Sequence, residues 1–285
     1  MIKIVKTVAE VRALVKSAKK AGKTVGLVPT MGFLHEGHKS LIDRAVLEND
    51  YVVVSDFVNP TQFGPNEDFE SYPRDINKDA ELCEKSGADL IFNPEADEMY
   101  HNQLTGVTMS EITKHLCGAS RPTHFNGVCQ VVAKLFNIVA PDRAYFGQKD
   151  AQQLMVIRKM VEDLNFDVEI VGCPIIREAD GLAKSSRNTY LNAEERQAAL
   201  CLSRSLDMGK ELIARGEKNA HTVRKAIRAE IEKEPLARID YVEIVSLDTL
   251  APTDTTEGGI LTAIAVYIGK TRFIDNFMIE GSDTK

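Results

Sequence analysis

No stretch of this 285-residue chain is apolar for long enough to cross a bilayer, and Met1-Ile2-Lys3-Ile4-Val5-Lys6 lacks the extended apolar core of a secretion signal. The expectation is a cytoplasmic protein with no membrane partner. An excess of positive charge is also missing: 35 Lys and Arg face 42 Asp and Glu, for a net charge of −7. That balance argues against nucleic acid as a partner, so an anionic ligand must be small and gripped by a few local cations. There is no Cys-x-x-Cys pair. Cys83, Cys117, Cys129, Cys173 and Cys201 are odd in number and widely spaced, and they read as reduced thiols filling core space rather than as metal ligands or nucleophiles. Internal repeats and low-complexity tracts are absent too. What remains, 44% hydrophobic and 27% charged residues, is the make-up of a folded globular chain, and its length suggests two domains.

Apolar runs alternate with helical periodicity over the first 176 residues. Thr7-Val8-Ala9-Glu10 fits a capping box, and Val8, Val11, Leu14, Val15 and Ala18 share one face of a first helix stopped by Gly22. Strands are predicted at 24–28, 51–54, 88–92, 107–109, 143–146, 167–171 and 174–177, and helices from about residue 39, over 75–86 and over 128–139. Continuous β-branched runs separated by helices indicate a Rossmann-like α/β fold, a parallel sheet covered on both faces. From Leu191 the pattern changes to helices over 193–215 and 220–233, followed by strands near 239–247, 261–268 and 271–279. The predicted division is therefore a domain of residues 1–176 and a smaller α+β domain of residues 177–285.

Three polar loops follow predicted strands of the first part. Pro29-Thr30-Met31-Gly32-Phe33-Leu34-His35-Glu36-Gly37-His38 leads into a helix whose unpaired backbone N–H groups and dipole favour a phosphate. His35 and His38 can add hydrogen bonds there as charge develops, and Gly32 and Gly37 let backbone approach a ligand closely. Gly147-Gln148-Lys149-Asp150 forms a second strand-to-helix turn. Lys149 is a point charge for a phosphate, Asp150 either caps the helix or orients the lysine, and Gln153 projects one turn later. In the third loop, Lys184-Ser185-Ser186-Arg187 sets two hydroxyls between two cations, either a triphosphate grip or a helix cap. A further loop opens with Asp56-Phe57-Val58-Asn59-Pro60-Thr61-Gln62-Phe63, where Asn59 and Gln62 offer amides suited to hydroxyl and carboxylate groups, and runs on through Gly64-Pro65-Asn66 to Tyr72-Pro73-Arg74, long enough to be a lid or a substrate-side loop. Arg121 can reach a substrate carboxylate or form a surface ion pair, and His124 fits a structural or a functional role.

The His-x-Gly-His element resembles the HIGH motif of class I aminoacyl-tRNA synthetases and related nucleotidyltransferases, and Lys184-Ser185-Ser186 resembles their KMSKS loop. With Phe57-Val58-Asn59-Pro60-Thr61-Gln62-Phe63 and Gly147-Gln148-Lys149-Asp150, the chain is similar to the pantoate–β-alanine ligase family over nearly its whole length. The resemblance implies an ATP- and Mg²⁺-dependent enzyme that activates pantoate as an adenylate and transfers it to β-alanine. It further implies that residues 31–38, 147–150, Ile176 and 184–187 meet ATP, with His38 as proton donor and His35, Lys149, Ser185, Ser186 and Arg187 also acting on the phosphates. By the same implication Gln62 holds pantoate and lies by β-alanine, Gln153 holds pantoate, Asp79 reaches the metal through water, and the enzyme is a homodimer.

Several positions depart from the family. Asp56 stands where an aliphatic residue is usual, on a strand expected to be buried, so Asp56→Ile is expected to raise stability without abolishing activity. Thr123 replaces a common Gly before His124, and Gln148 and Lys184 replace a frequent Glu and a frequent Met or Leu. Three rivals remain: a different nucleotidyltransferase, which leaves Gln62 and Gln153 without a ligand; a nucleotide sensor without chemistry, which has no need of the histidines; and a tRNA synthetase, which the acidic charge disfavours.

Overall fold

The computed structural model describes residues 2–65 and 67–281, so Asn66 of the long 57–74 loop lies outside it. Six strands form one parallel sheet: β1 (Lys3–Val5), β2 (Val25–Thr30), β3 (Tyr51–Asp56), β4 (Leu90–Phe92), β5 (Arg143–Gly147) and β6 (Glu169–Cys173), ordered β1-β4-β3-β2-β5-β6. Between them run α1 (Val8–Lys20), α2 (Glu36–Glu48), α3 (Ile76–Ser86), α4 (Ala96–Tyr100), α5 (Cys117–Ser120), α6 (His124–Val139) and α7 (Ala151–Leu164). The strand order carries β2, β3 and β4 one way across the sheet and β5 and β6 the other. Helices therefore cover both faces, α2 packing on α3 and α1 on α6. The order reverses between β2 and β5, which makes the carboxyl ends of those strands the expected ligand crevice. Val28, Ile42, Val52, Val54, Cys83, Ile91 and Tyr145 form a core between sheet and helices.

The chain groups into two compact units: one of Met1–Met109, Thr123–Gln148 and Gln153–Pro174, the other of Ser110–Pro122, Lys149–Gln152 and Ile175–Lys285. The second unit contains α8 (Ala193–Ala199), α9 (Cys201–Ala214) and α10 (Ala220–Ile231) with an antiparallel sheet β7 (Ala237–Ser246), β8 (Ile260–Ile268) and β9 (Thr271–Ile279). Leu202, Leu206, Val223, Ile227, Val242, Ile264, Val266, Phe273 and Phe277 pack its core. Among the described residues no helix is long and apolar enough to cross a membrane.

Two predicted strands are not formed. At 107–109 the amides of Val107 and Met109 donate to the side chains of Gln130 (2.8 Å) and Asn126 (3.0 Å) on α6, so no strand partner is needed. At 174–177, Pro174 has no N–H to give a ladder, and Arg177 instead bridges Ala183 across a short hairpin. The predicted helix at 128–139 begins at His124, because Asn126 and Gly127 separate Phe125 from the apolar run that starts at Val128. The expected helix over 193–215 is two helices meeting at Leu200, whose N–H turns back to Gln197 O at 3.2 Å. β1, α4 and α5 were too short for periodicity to register.

Candidate active site

β2 ends at Thr30 and hands the chain to a loop built on two left-handed residues, Gly32 (φ 77°) and Phe33 (φ 51°). Phe33 in that conformation is strained, and Asp79 of α3 offsets the cost: its carboxylate accepts the N–H groups of Phe33 (2.7 Å) and Leu34 (2.6 Å). A side chain at 32 would run into Asp56 Oδ1, so glycine is needed for space as well as for φ.

His35 is the N-cap of α2, and the two histidines form a reciprocal capping box. Gly37 N–H donates to His35 Nδ1 at 3.1 Å, and His35 N–H donates to His38 Nδ1 at 3.3 Å. A backbone amide can only donate, so both Nδ1 atoms accept and each neutral imidazole carries its proton on Nε2. The rings lie 4.1 Å apart between centroids. Two Nε2–H donors thus accompany the helix N-terminus, the arrangement expected for phosphate.

Asp56, at the end of β3, is 6% exposed and faces Asp79, itself 2% exposed. Burial pushes the Asp56 carboxyl up to about 7, and the neighbouring Asp79 charge and hydrogen bond add to the shift. Asp56 Oδ2 has no hydrogen-bond partner, whereas Asp79 is held by two amides, so the proton the pair shares belongs on Asp56. Burial raises Asp79 as well, against the pull of those amides. This pair is where the departure at position 56 leads: the acid has a partner, and the pair packs against the Gly32–Leu34 loop. Asp79, with both oxygens accepting from that loop, is a loop anchor.

Beside it the 57–63 loop makes a 3₁₀ turn, Pro60–Gln62, capped by Asn59. Asn59 is 1% exposed, and its amide is fully committed. Oδ1 accepts from Tyr100 Oη (2.6 Å), Thr61 Oγ1 (3.0 Å) and Thr61 N (3.3 Å), while Nδ2 donates to Gln62 Oε1 (3.1 Å) and Gly127 O (3.2 Å). Asn59 therefore orients Gln62 rather than facing a ligand, and Gln62 Nε2 points toward Met31 Sδ at 3.0 Å. The structural role for His124 is realised through Nδ1, 2.8 Å from Gln62 O. Gly127 permits this docking, since a Cβ there would collide with the Thr61 backbone. Tyr100, Gly127 and the Asp56–Asp79 pairing carried no motif and were missed.

The remaining candidates divide between the units. Gly147, Gln148 and the half-buried Gln153 of α7 belong to the first, with Gly147 and Gln148 leaving β5 at the switch point. Lys149, Asp150, Arg121, Ile176 and residues 184–187 belong to the second. Lys149 is half-buried and makes no ion pair among the described residues, Asp150 is exposed, and Arg121 follows the end of α5. Ser185 caps a 3₁₀ turn, Ser186–Tyr190, by accepting Arg187 N–H at 3.3 Å, and Lys184 N–H donates to Ile176 O at 2.9 Å. Ser185 thus serves as a cap, and its hydroxyl hydrogen can still be donated. All five cysteines are reduced and buried, and burial pushes Cys83 and Cys129 up to about 12 and Cys201 to about 11, as expected of inert core thiols.

Residues 3–278 match the family model described as pantoate-beta-alanine ligase. A pantothenate synthetase of Clostridium acetobutylicum is 62% identical over 277 residues, covering 97% of this chain and 99% of that protein. One from Clostridioides difficile is 60% identical over 97% of this chain and 99% of its own length. Among solved structures, a pantothenate synthetase of Thermus thermophilus superposes with a TM-score of 0.92 at 45% identity, over 97% of this chain and 99% of that one. The Francisella tularensis pantoate-beta-alanine ligase, complexed with beta-gamma ATP and beta-alanine, gives 0.79 at 34% identity, over 98% of each chain.

Proposed function

This chain belongs to the pantoate–β-alanine ligase family, and from that premise we infer that it condenses pantoate with β-alanine to give pantothenate, converting ATP to AMP and pyrophosphate. It is a carbon–nitrogen ligase. In the first step a carboxylate oxygen of pantoate bonds to the α-phosphorus of ATP, and the bond to the bridging oxygen breaks with its electrons leaving on pyrophosphate. In the second, the amine of β-alanine attacks the acyl carbon, the bond to AMP breaks, and the amine nitrogen loses a proton. The intermediate mixed anhydride is needed because a free carboxylate is a poor acyl donor.

The observation that carries the assignment of roles is the capping geometry of His35 and His38, in which both Nδ1 atoms accept a backbone N–H. Two Nε2–H donors at a helix N-terminus suit a phosphate group gaining charge, and His38 is the proton donor of the pair. Backbone of residues 31–37 and Gly147-Gln148 lines the nucleotide, joined by Ile176 and Asp150. Lys149, Lys184, Ser185, Ser186 and Arg187 act on ATP phosphates. Gln62, which can offer only N–H donors outward, reads an acceptor oxygen of pantoate and lies by β-alanine. Gln153 holds pantoate, and Arg121 meets a substrate carboxylate.

Magnesium enters with ATP as part of the substrate and draws charge from the phosphate oxygens. The protein residues do not fit a metal site of their own: Asp79 is committed to the loop amides, and among the described residues no cluster of three or more His, Cys, Asp or Glu is arranged for a metal. The enzyme acts in the cytoplasm as a homodimer.

Incubation with ATP and Mg²⁺ tests this reading. Pyrophosphate is expected only when pantoate is present, and AMP only once β-alanine is added; release with unrelated acids would overturn the substrate assignment. His38→Ala is expected to lower adenylate formation by roughly 10²–10⁴-fold with an unchanged circular-dichroism spectrum, and near-normal turnover would remove its role.

A further inference from the structure

Neighbouring residues of β9 hold two different phosphate-facing segments of the second unit. Asp275 is 1% exposed, on the strand face that also carries Phe273 and Phe277. Its carboxylate takes both arms of the Arg177 guanidinium, at 2.6 and 2.9 Å. Arg177 also donates to Gly181 O at 3.0 Å and bridges Ala183, so the ion pair fixes the base of the hairpin that delivers Lys184-Ser185-Ser186-Arg187. Asn276, 4% exposed, points to the opposite face. Its Nδ2 donates to the backbone carbonyl of Lys149 at 2.9 Å, and its own N–H donates to Asp275 Oδ1 at 2.8 Å.

We propose that Asp275 and Asn276 are positioning residues that set the Lys149 turn and the 184–187 loop at a fixed spacing through the rigid ladder of β9, so that both engage one triphosphate. The inference rests on the reading that Lys149 and residues 184–187 grip ATP. Both partners sit on one strand paired with β8, which is buried at every position but Tyr267, so neither segment can shift without the other. A bidentate Arg–carboxylate pair and a side-chain amide on a backbone carbonyl both have sharp directional demands. Lys149 accordingly groups with the second unit although β5 and most of α7 group with the first.

Steady-state pyrophosphate release with the full-length enzyme separates the outcomes. Asn276→Ala is expected to raise KM for ATP roughly tenfold or more, with KM for pantoate and the melting temperature near wild type. Asn276→Asp keeps the shape, removes the donor and carries the same test should the alanine variant fold poorly. Arg177→Lys, which keeps the charge and loses the fork, is expected to give the same ATP-specific defect. Lys149→Met is the reference, and adding Asn276→Ala to it is expected to cost little more, because Asn276 acts through Lys149. A wild-type ATP KM in Asn276→Ala beside a damaged Lys149→Met overturns the proposal and leaves the phosphate reading standing. Equal losses for ATP and pantoate, or full additivity with Lys149→Met, also overturn it, and a Lys149→Met enzyme of wild-type behaviour overturns the phosphate reading itself.

Discussion

The side chain that most alters the expected picture is Asp56. A carboxyl held at about 7 in the fold and near 3.9 in the unfolded chain binds its proton more tightly when folded. Between about pH 4 and pH 7 the native state carries a proton the unfolded state lacks, so stability falls as pH rises through that window and levels off above it. Asp56→Asn keeps a donor for Asp79 and removes the titration. It is expected to raise the unfolding free energy at pH 8 by on the order of a few kcal/mol, read as a higher melting temperature, and to change both little at pH 4. Thermal denaturation across that range checks this, and an equal gain at both pH values would contradict it. Asp56→Ile is expected to stabilise at neutral pH as well, by less, because Asp79 loses a hydrogen bond. At Gln62 the chemistry was legible as an amide, but its direction was not: Asn59 and Tyr100 fix it, and no spacing in the sequence links positions 59 and 100. Removing that hydroxyl with Tyr100→Phe is expected to raise KM for pantoate several-fold and leave KM for ATP unchanged in initial-rate assays.

At the level of elements, strongly periodic segments were legible and segments held by side chains were not. The capping box at Thr7 and Glu10 was readable and forms as expected. The 107–109 segment bonds to Gln130 and Asn126, and its residues look the same in sequence whether a strand or an amide receives them. α6 shows a related limit, because Gly127 carried no signal in the sequence and is the point of contact with the Thr61 backbone. Gly127→Ala replaces an open contact with a clash and is expected to cost about 1–3 kcal/mol while raising KM for pantoate. Urea denaturation paired with kinetics checks both, and unchanged stability would mean that α6 does not dock as described.

For the whole molecule, the parallel sheet and the smaller antiparallel sheet were legible in the alternating apolar runs, whereas the reversal of strand order at β2 and β5 was not. The resemblance carried by residues 35–38, 57–63, 147–150 and 184–187 extends to a family match over residues 3–278. What composition could not carry is the assignment of Ser110–Pro122 and Lys149–Gln152 to the second unit. Gln152 helps to hold that grouping, donating to Ile112 O (3.1 Å) and His115 O (2.8 Å). The central claim is that the enzyme turns one acid into its mixed anhydride with AMP. Oxygen tracing tests it most directly: pantoate labelled with ¹⁸O in its carboxylate is turned over with ATP and β-alanine, and the AMP is analysed by mass spectrometry. One labelled oxygen in each AMP is the predicted result; AMP without label, formed alongside pantothenate, would contradict the account.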